Sequence, residues 1–189
     1  MMVAVALFMV VMVVALGALL TLSQSDLKAE VLKSAINNLN FSLDSMSRAI
    51  RTGTNYHCGG TFGTVTTIPQ DCINGSNYLS FTTSGGIVVA YSFVPSGQCP
   101  AGYIGGCIER QVPSISLTPS PLTSPDVNVA NSSMFYVIGS CSASGTGGCA
   151  PDTIQPRVIM LIHGSVPVSS TQTSSFNLQA SVTQRIYDQ

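Results

Sequence analysis

Charge is the scarcest property of this sequence. Aspartate, glutamate, lysine and arginine together make up 8% of its 189 residues, against about 25% in an average soluble domain. The formal net charge is −1, and lysine and arginine are nowhere clustered along the chain. A basic surface for nucleic acid is therefore excluded, and we expect no nucleic-acid partner.

Catalytic and metal-binding motifs are also lacking. No serine lies in a G-x-S-x-G motif, and the glycine-rich residues 145–148 have neither the lysine nor the following helix of a phosphate loop. His57 and His163 lie outside any C-x-x-C or H-x-x-x-H spacing. We interpret His57 as a disulfide flank and His163 as a surface or strand-end residue. We predict no enzyme activity, catalytic residue, metal or cofactor. Four scattered carboxylates leave a weak calcium site in a loop as the lesser alternative: Asp71, Glu109, Asp126 and Asp152.

The first 25 residues contain no charged side chain. Their aliphatic run, MMVAVALFMVVMVVALGALL, is long enough for a transmembrane helix, which needs about 20 apolar residues. It lacks the basic start of a cleaved signal peptide, and the helical pattern continues past it with neither a proline nor a turn signal. Because the rest of the chain cannot wrap so long an apolar helix, we expect residues 1–25 to reside in a membrane at some stage.

Residues 26–52 continue the same helix with a different pattern. Apolar residues recur at intervals of three and four, and charged residues fall mostly between them, which predicts one apolar face. The whole helix should be about 75 Å long and end near Gly53, which suits a C′ position. Seven residues are predicted to pack its second half on a sheet: Leu27, Val31, Ala35, Leu39, Leu43, Met46 and Ile50.

After the helix, short β-like runs alternate with glycine, proline, asparagine and serine. The predicted strands are 78–83 and 87–93, which form a hairpin, then 108–112, 134–139, 157–163 and 176–187, with 61–68 a further extended segment. Residues 113–125 carry four prolines and are predicted to be a loop. The fold class is therefore α+β, a helix over about residues 1–52 packed on an antiparallel β-sheet domain at 53–189.

All six cysteines follow the helix. An even number of cysteines in a domain after a membrane-length segment predicts a disulfide framework outside the cytoplasm. Fifteen connectivities are formally possible. Sequential pairing closes three short loops, so we predict the pairs Cys58–Cys72, Cys99–Cys107 and Cys141–Cys149.

Both ends of the chain are similar to a known family. The run VVALGALLTL, its amphipathic continuation NNLNFSLDSMSRAIRTG, the YHCGG turn at 56–60 and the FNLQ-x-x-V-x-QR segment at 176–185 resemble type IV pilins and pilin-like proteins. The resemblance implies a bacterial subunit that is stored in the inner membrane. It further implies that the pilus assembly machinery extracts this subunit into an extracellular filament of identical subunits, with a possible role in adhesion or motility.

The sequence departs from that family at its start. Mature pilins begin with an aromatic residue inside F-T-L-x-E, and the glutamate of that motif is thought to pair with the N-terminus of a neighbouring subunit. This sequence opens with Met1-Met2-Val3, has no such motif, and resembles the stretch that follows the glutamate. We expect either that a few residues precede Met1 or that the protein lacks them, so no residue here is assigned to that interaction.

An uncharged helix is stable in lipid because its backbone polar groups bond internally, and it is equally stable among copies of itself. Small residues such as Ala4, Ala6 and Gly17 would allow close approach of the helices. Two other functions stay open: a minor pilin or type II secretion pseudopilin, and a membrane-anchored binding domain that does not polymerise. The predicted residues of a filament core are Leu7, Phe8, Val11, Val14, Leu16 and Leu20.

Overall fold

The structure is a computed structural model that describes residues 2–60, 66, 68–141, 151–169 and 172–185. Within those residues one long helix is followed by ten strands in two antiparallel sheets. The predicted α+β class is therefore confirmed.

Helix α1 runs without a break from Met2 to Arg51, over 50 residues, which confirms the single continuous helix. Gly53 ends it differently from the prediction. This glycine does not adopt the left-handed conformation that is common at C′. A Cβ atom on Gly53 would lie 2.5 Å from a ring carbon of Phe81, so close packing against the first sheet requires glycine at this position.

We call residues 50–56, where α1 passes into β1, the neck. Hydrogen bonds join the neck to both sheets. The Tyr56 hydroxyl lies 2.6 Å from the carbonyl oxygen of Ile50 and 2.8 Å from that of Gly53. The backbone N–H of Arg185 donates to the carbonyl oxygen of Arg51 at 2.8 Å. The last carbonyl groups of the helix are thus satisfied by residues that belong to or follow strands of the two different sheets.

The first sheet has the order β1-β3-β4-β5-β6. Its strands are β1 (Thr54–Cys58), β3 (Tyr78–Thr82), β4 (Val88–Val94), β5 (Cys107–Val112) and β6 (Ser116–Pro121). The predicted hairpin is present, because β3 and β4 pair antiparallel with Tyr78 opposite Ser92. The predicted strand 108–112 is present as β5.

Strand β6 overturns the prediction of a loop at 113–125. It pairs antiparallel with β5, with Glu109 opposite Pro121. Two of the four prolines, Pro119 and Pro121, lie within it. They are tolerated because β6 is the edge strand of its sheet, where one side of the strand needs no hydrogen-bond donors.

The second sheet has the order β10-β9-β8-β2, with the short β7 paired to β9. Its strands are β2 (Cys72–Ser76), β7 (Asn128–Val129), β8 (Met134–Ile138), β9 (Arg157–Pro167) and β10 (Thr173–Thr183). The three predicted strands of this sheet exist, but β9 continues to Pro167, and β10 begins three residues early and ends at Thr183. Most of the predicted extended segment 61–68 and the end of the predicted last strand, 186–187, lie outside the described residues.

The second half of α1 covers the core formed by the two sheets. Five of its predicted packing residues are buried, namely Ala35, Leu39, Leu43, Met46 and Ile50, and Val31 is partly buried against the same core.

Leu27 is a correction, because 56% of this residue is exposed. Strands β9 and β10 stop at Pro167 and Thr173. Beyond these strand ends, the described residues near Leu27 are Val168 and Gln172 of the hairpin loop, which line one cavity with it.

Two predicted disulfides are present. Cys58–Cys72 joins β1 to β2 and therefore links the two sheets, and Cys99–Cys107 closes the loop before β5. Cys141 is also disulfide-bonded. Its predicted partner, Cys149, lies outside the described residues.

Candidate assembly surface

The N-terminal half of α1 is not buried by any other described part of the chain. All six residues predicted for a filament core are exposed, with relative exposures between 58% and 67%: Leu7, Phe8, Val11, Val14, Leu16 and Leu20. The described part of the hairpin loop between β9 and β10 lies near the helix at Gln24 and Leu27. Residues 2–23 therefore project beyond it by about 33 Å, close to the roughly 30 Å of a bilayer's hydrocarbon core.

Two of the polar side chains near the end of this segment bond back to the helix itself. The Thr21 hydroxyl donates to the Gly17 carbonyl oxygen at 3.0 Å, and the Ser25 hydroxyl donates to the Thr21 carbonyl oxygen at 3.0 Å. This pattern satisfies serine and threonine inside a helix without any outside partner. Residues 2–20 of the projecting segment carry no polar side chain and present an apolar exterior on every side.

In the described part of the chain, nothing packs closely enough on Gly17 to require a glycine there. A Cβ atom on Gly17 would meet nothing within 4 Å, although glycine costs a helix about 1 kcal/mol relative to alanine. Close approach of a second helix is one reason for a small residue here. Among the described residues, none sets a packing requirement at this position.

This helix is long and apolar enough to cross a membrane, and none of its most apolar stretch is buried within the chain. Such a surface needs an apolar environment that the described part of the chain does not supply. Lipid tails and other apolar helices are the two that fit, so the helix is suited to membrane anchoring.

Polar bonds also hold the second half of α1 to the domain. The Asn38 side-chain oxygen accepts from the Ser124 N–H at 2.9 Å, and the Ser42 hydroxyl lies 2.8 Å from the Leu122 carbonyl oxygen. These two contacts were not predicted from the sequence. The pattern that could have indicated them is the spacing of four between Asn38 and Ser42, next to the buried Leu39 and Leu43 of the apolar face.

A groove of about 380 Å³ separates α1 from the β domain where the helix leaves it. We call it the helix groove. One wall is the helix from Val31 to Asn38, and the other includes Asp126 and Val166. Asp126 is exposed and is the only charged residue among the described residues that line the groove.

Three arginines lie together at the opposite end of the domain, and we call them the arginine end. Arg185 is bonded through its backbone to Arg51. Arg157 begins β9 and lies opposite Thr183, two residues before Arg185. All three arginines are exposed. The chain thus brings together three positive charges that are far apart in the sequence.

The histidines have local structural partners. The Nδ1 atom of His57 is 2.8 Å from the Ile68 carbonyl oxygen, and that of His163 is 2.7 Å from the Asn177 side-chain oxygen. His57 precedes a disulfide-bonded cysteine, and His163 lies inside β9 rather than at its end. The strand-end interpretation of His163 is therefore wrong, whereas its partly exposed side chain fits the alternative of a surface residue.

Asp71, Cys141 and Asp152 are close enough together to contact one ion, but their chemistry fits a structural role. Cys141 is disulfide-bonded and so offers no thiolate. The two Asp71 carboxylate oxygens accept from the Gly139 N–H at 3.0 Å and the Ser140 N–H at 2.8 Å. Asp152 accepts from the Ile154 N–H at 2.8 Å. The two carboxylates therefore fix loop backbone.

Buried titratable groups belong to the β domain. Burial raises the pKa of the Tyr56 hydroxyl and also raises the pKa of the Glu109 carboxyl. Glu109 is 7% exposed on β5.

No family model, no curated protein and no solved structure matches this chain. The architecture, one long apolar N-terminal helix packed on an antiparallel sheet with disulfides, is compatible with a pilin-like fold.

Proposed function

We propose that this protein is the structural subunit of a type IV pilus-like extracellular filament and polymerises through α1. The observation that carries the proposal is the helix segment 2–23. Its residues 2–20 are apolar on all sides, and the β domain leaves the segment exposed. One apolar partner surface would cover only one face of such a segment. A bilayer or a bundle of copies surrounds it completely.

Transfer between those two environments costs little. The helix keeps its backbone bonds in either setting, and its hydroxyl groups at Thr21 and Ser25 bond internally. The inner membrane is therefore a suitable store for subunits before the assembly machinery extracts them. Head-to-tail contacts that do not close into a ring produce an open helical fibre.

In this arrangement α1 forms the shaft and the β domain faces outward. Disulfides persist in oxidising surroundings, and Cys58–Cys72 and Cys99–Cys107 lie in the outward domain. Identical subunits are the partners along the filament. Adhesion or motility would be served by the exposed surface of the domain.

The test is negative-stain microscopy of sheared surface material from cells that express Val11→Lys. The side chain is 65% exposed in the single chain, so lysine should leave the β domain folded. It would, however, place a charge inside the shaft, at a cost of about 2.5–3.5 kcal/mol in a membrane-like interior. We expect wild-type cells to carry long fibres and the variant to carry none, with the variant still present in the membrane fraction.

Asn37→Lys is the matched control, because residue 37 is exposed on the second half of the same helix. It should keep the fibres. Long fibres from Val11→Lys would contradict the proposal. A wild-type protein that stays in the membrane without fibres would indicate an anchored domain, and short or rare fibres would indicate a minor pilin or pseudopilin.

A further inference from the structure

We propose that the arginine end of one copy docks in the helix groove of the next copy, where Asp126 is the carboxylate partner. The inference rests on the proposed function, since it names a contact between neighbouring subunits of the filament. It is carried by charge complementarity between two surfaces at opposite ends of the same domain.

The helix groove suits an arginine side chain. Its volume of about 380 Å³ falls within the range of pockets that enclose small ligands, about 300–1,000 Å³. Its walls combine apolar contact from Val31 and Val166 with polar groups from Ser34 and Asn38. Such a lining can hold the aliphatic stem of arginine and bond its planar head.

The charges on the neighbouring helix do not neutralise Asp126. At about 100° per residue, Lys33 lies on the far side of α1 from the residues that line the groove. Lys28 and Glu30 flank the groove-lining face on opposite sides, each roughly a quarter turn away, and their charges cancel. Among the described residues Asp126 has no ion pair, since the one ion pair there joins Arg48 to Asp44.

The arginine end is equally unpaired within the described part of the chain. Arg51, Arg157 and Arg185 are exposed, and none of them is in that single ion pair. Arginine is enriched at protein interfaces because its head is planar, weakly hydrated and able to form several hydrogen bonds. Three such groups on one end make a surface that a carboxylate-bearing groove can recognise.

The two surfaces can meet when parallel copies are staggered. The helix groove is centred near residue 35 of α1, and Arg51 is the last residue of that helix. The separation along the helix axis is about 25 Å. A second copy shifted by that distance brings its groove level with the arginine end of the first. The same operation repeated gives a continuous fibre rather than a closed dimer.

The first experiment compares filament yield for Asp126→Lys and Asp44→Lys. Both variants change the net charge equally at an exposed residue, but Asp44 lies outside the groove and its ion pair is exposed. We expect Asp126→Lys to lower the yield at least ten-fold and Asp44→Lys to leave it within two-fold of wild type. The melting temperature of the detergent-solubilised monomer should stay close to the wild-type value for both variants, because the ion pair that Asp44→Lys removes is exposed and weak.

The second experiment tests the partner by charge exchange. Asp126→Lys is combined in turn with Arg51→Glu, Arg157→Glu and Arg185→Glu. At least one combination should restore the yield several-fold, whereas Arg110→Glu, an exposed arginine on β5 outside the arginine end, should restore none.

Normal fibres from Asp126→Lys, or a loss that no exchange restores, would overturn the inference while wild-type fibres and the Val11→Lys result still support the proposed function. Absence of wild-type fibres would overturn both.

Discussion

The two halves of α1 have the same backbone and opposite surroundings. In the first half, Leu16 and Leu20 are 58% and 64% exposed, whereas in the second half Leu39 and Met46 are fully buried. Hydrogen bonding within the helix is alike in both, so secondary structure does not distinguish them. The difference lies in the side-chain pattern, apolar on all sides before residue 26 and apolar on one face after it. One helix can therefore serve two environments when its pattern changes partway along.

The largest effect that separates the two halves should come from truncating leucine. Leu39→Ala removes a fully buried side chain from the core beneath the helix and should lower the free energy of unfolding by about 2–5 kcal/mol. Leu20→Ala, the matched control, removes an exposed side chain and should leave this value unchanged. Denaturant unfolding of the detergent-solubilised protein, followed by a signal of the β domain, measures both variants. Equal losses of unfolding free energy in the two variants would contradict the conclusion that only the second half of α1 packs on the β domain.

Removal of the disulfides should have the next largest effect, and only in the β domain. Replacing Cys58 and Cys72 by serine releases a link of sequence separation 14 that joins the two sheets, and should cost about 3 kcal/mol. Replacing Cys99 and Cys107 opens a loop of separation 8 within one sheet and should cost less, about 2.5 kcal/mol or below. Thermal unfolding of the two double variants compares them directly. The reverse order would show that the link between the sheets is not the stronger constraint.

The smallest expected effect is on the pH dependence of stability, which should come from the β domain and not from the uncharged half of α1. Residues 2–25 of α1 contain no titratable side chain, whereas burial raises the pKa of Glu109 in the β domain. A raised carboxyl pKa means that the folded state holds its proton more tightly. Stability from this group is therefore present below the unfolded pKa and declines as pH rises through the folded pKa. The Glu109→Gln variant should therefore lose less stability than the wild type between pH 4 and pH 7. The measurement is the difference in unfolding free energy between these two pH values. The same difference in both proteins would contradict a raised pKa at Glu109.

The helix could be predicted because it is long and its pattern is regular. The main strands could be predicted because they are rich in β-branched and aromatic residues, as in the YLSFT of β3 and the MFYVI of β8. The strands that were missed have few such residues or carry residues that disfavour strands. Strands β1 and β2 carry asparagine, histidine or glycine among their five residues, and β6 contains two prolines that only an edge position permits. Leu27 continues the apolar spacing, yet it lies beyond the strand ends, and spacing alone does not reveal where a sheet stops.

The projecting surface could be predicted from the sequence, since an absence of charge over 25 residues is a local property. The helix groove and the arginine end could not. Asp126 is 88 residues beyond Asn38 in the chain, and Arg51 is 134 residues before Arg185. Only the tertiary fold brings such residues together, because nothing in their local sequence marks them as neighbours.

The neck has a mechanical consequence. Tyr56 belongs to the first sheet and Arg185 follows the last strand of the second, and both contact carbonyl groups at the end of α1. Tension along the shaft would therefore reach both sheets at once, and the Cys58–Cys72 link would share it between them. A fibre built from such subunits would carry load through a rigid connection between helix and β domain. Each outward domain would then keep a fixed orientation while the fibre is pulled.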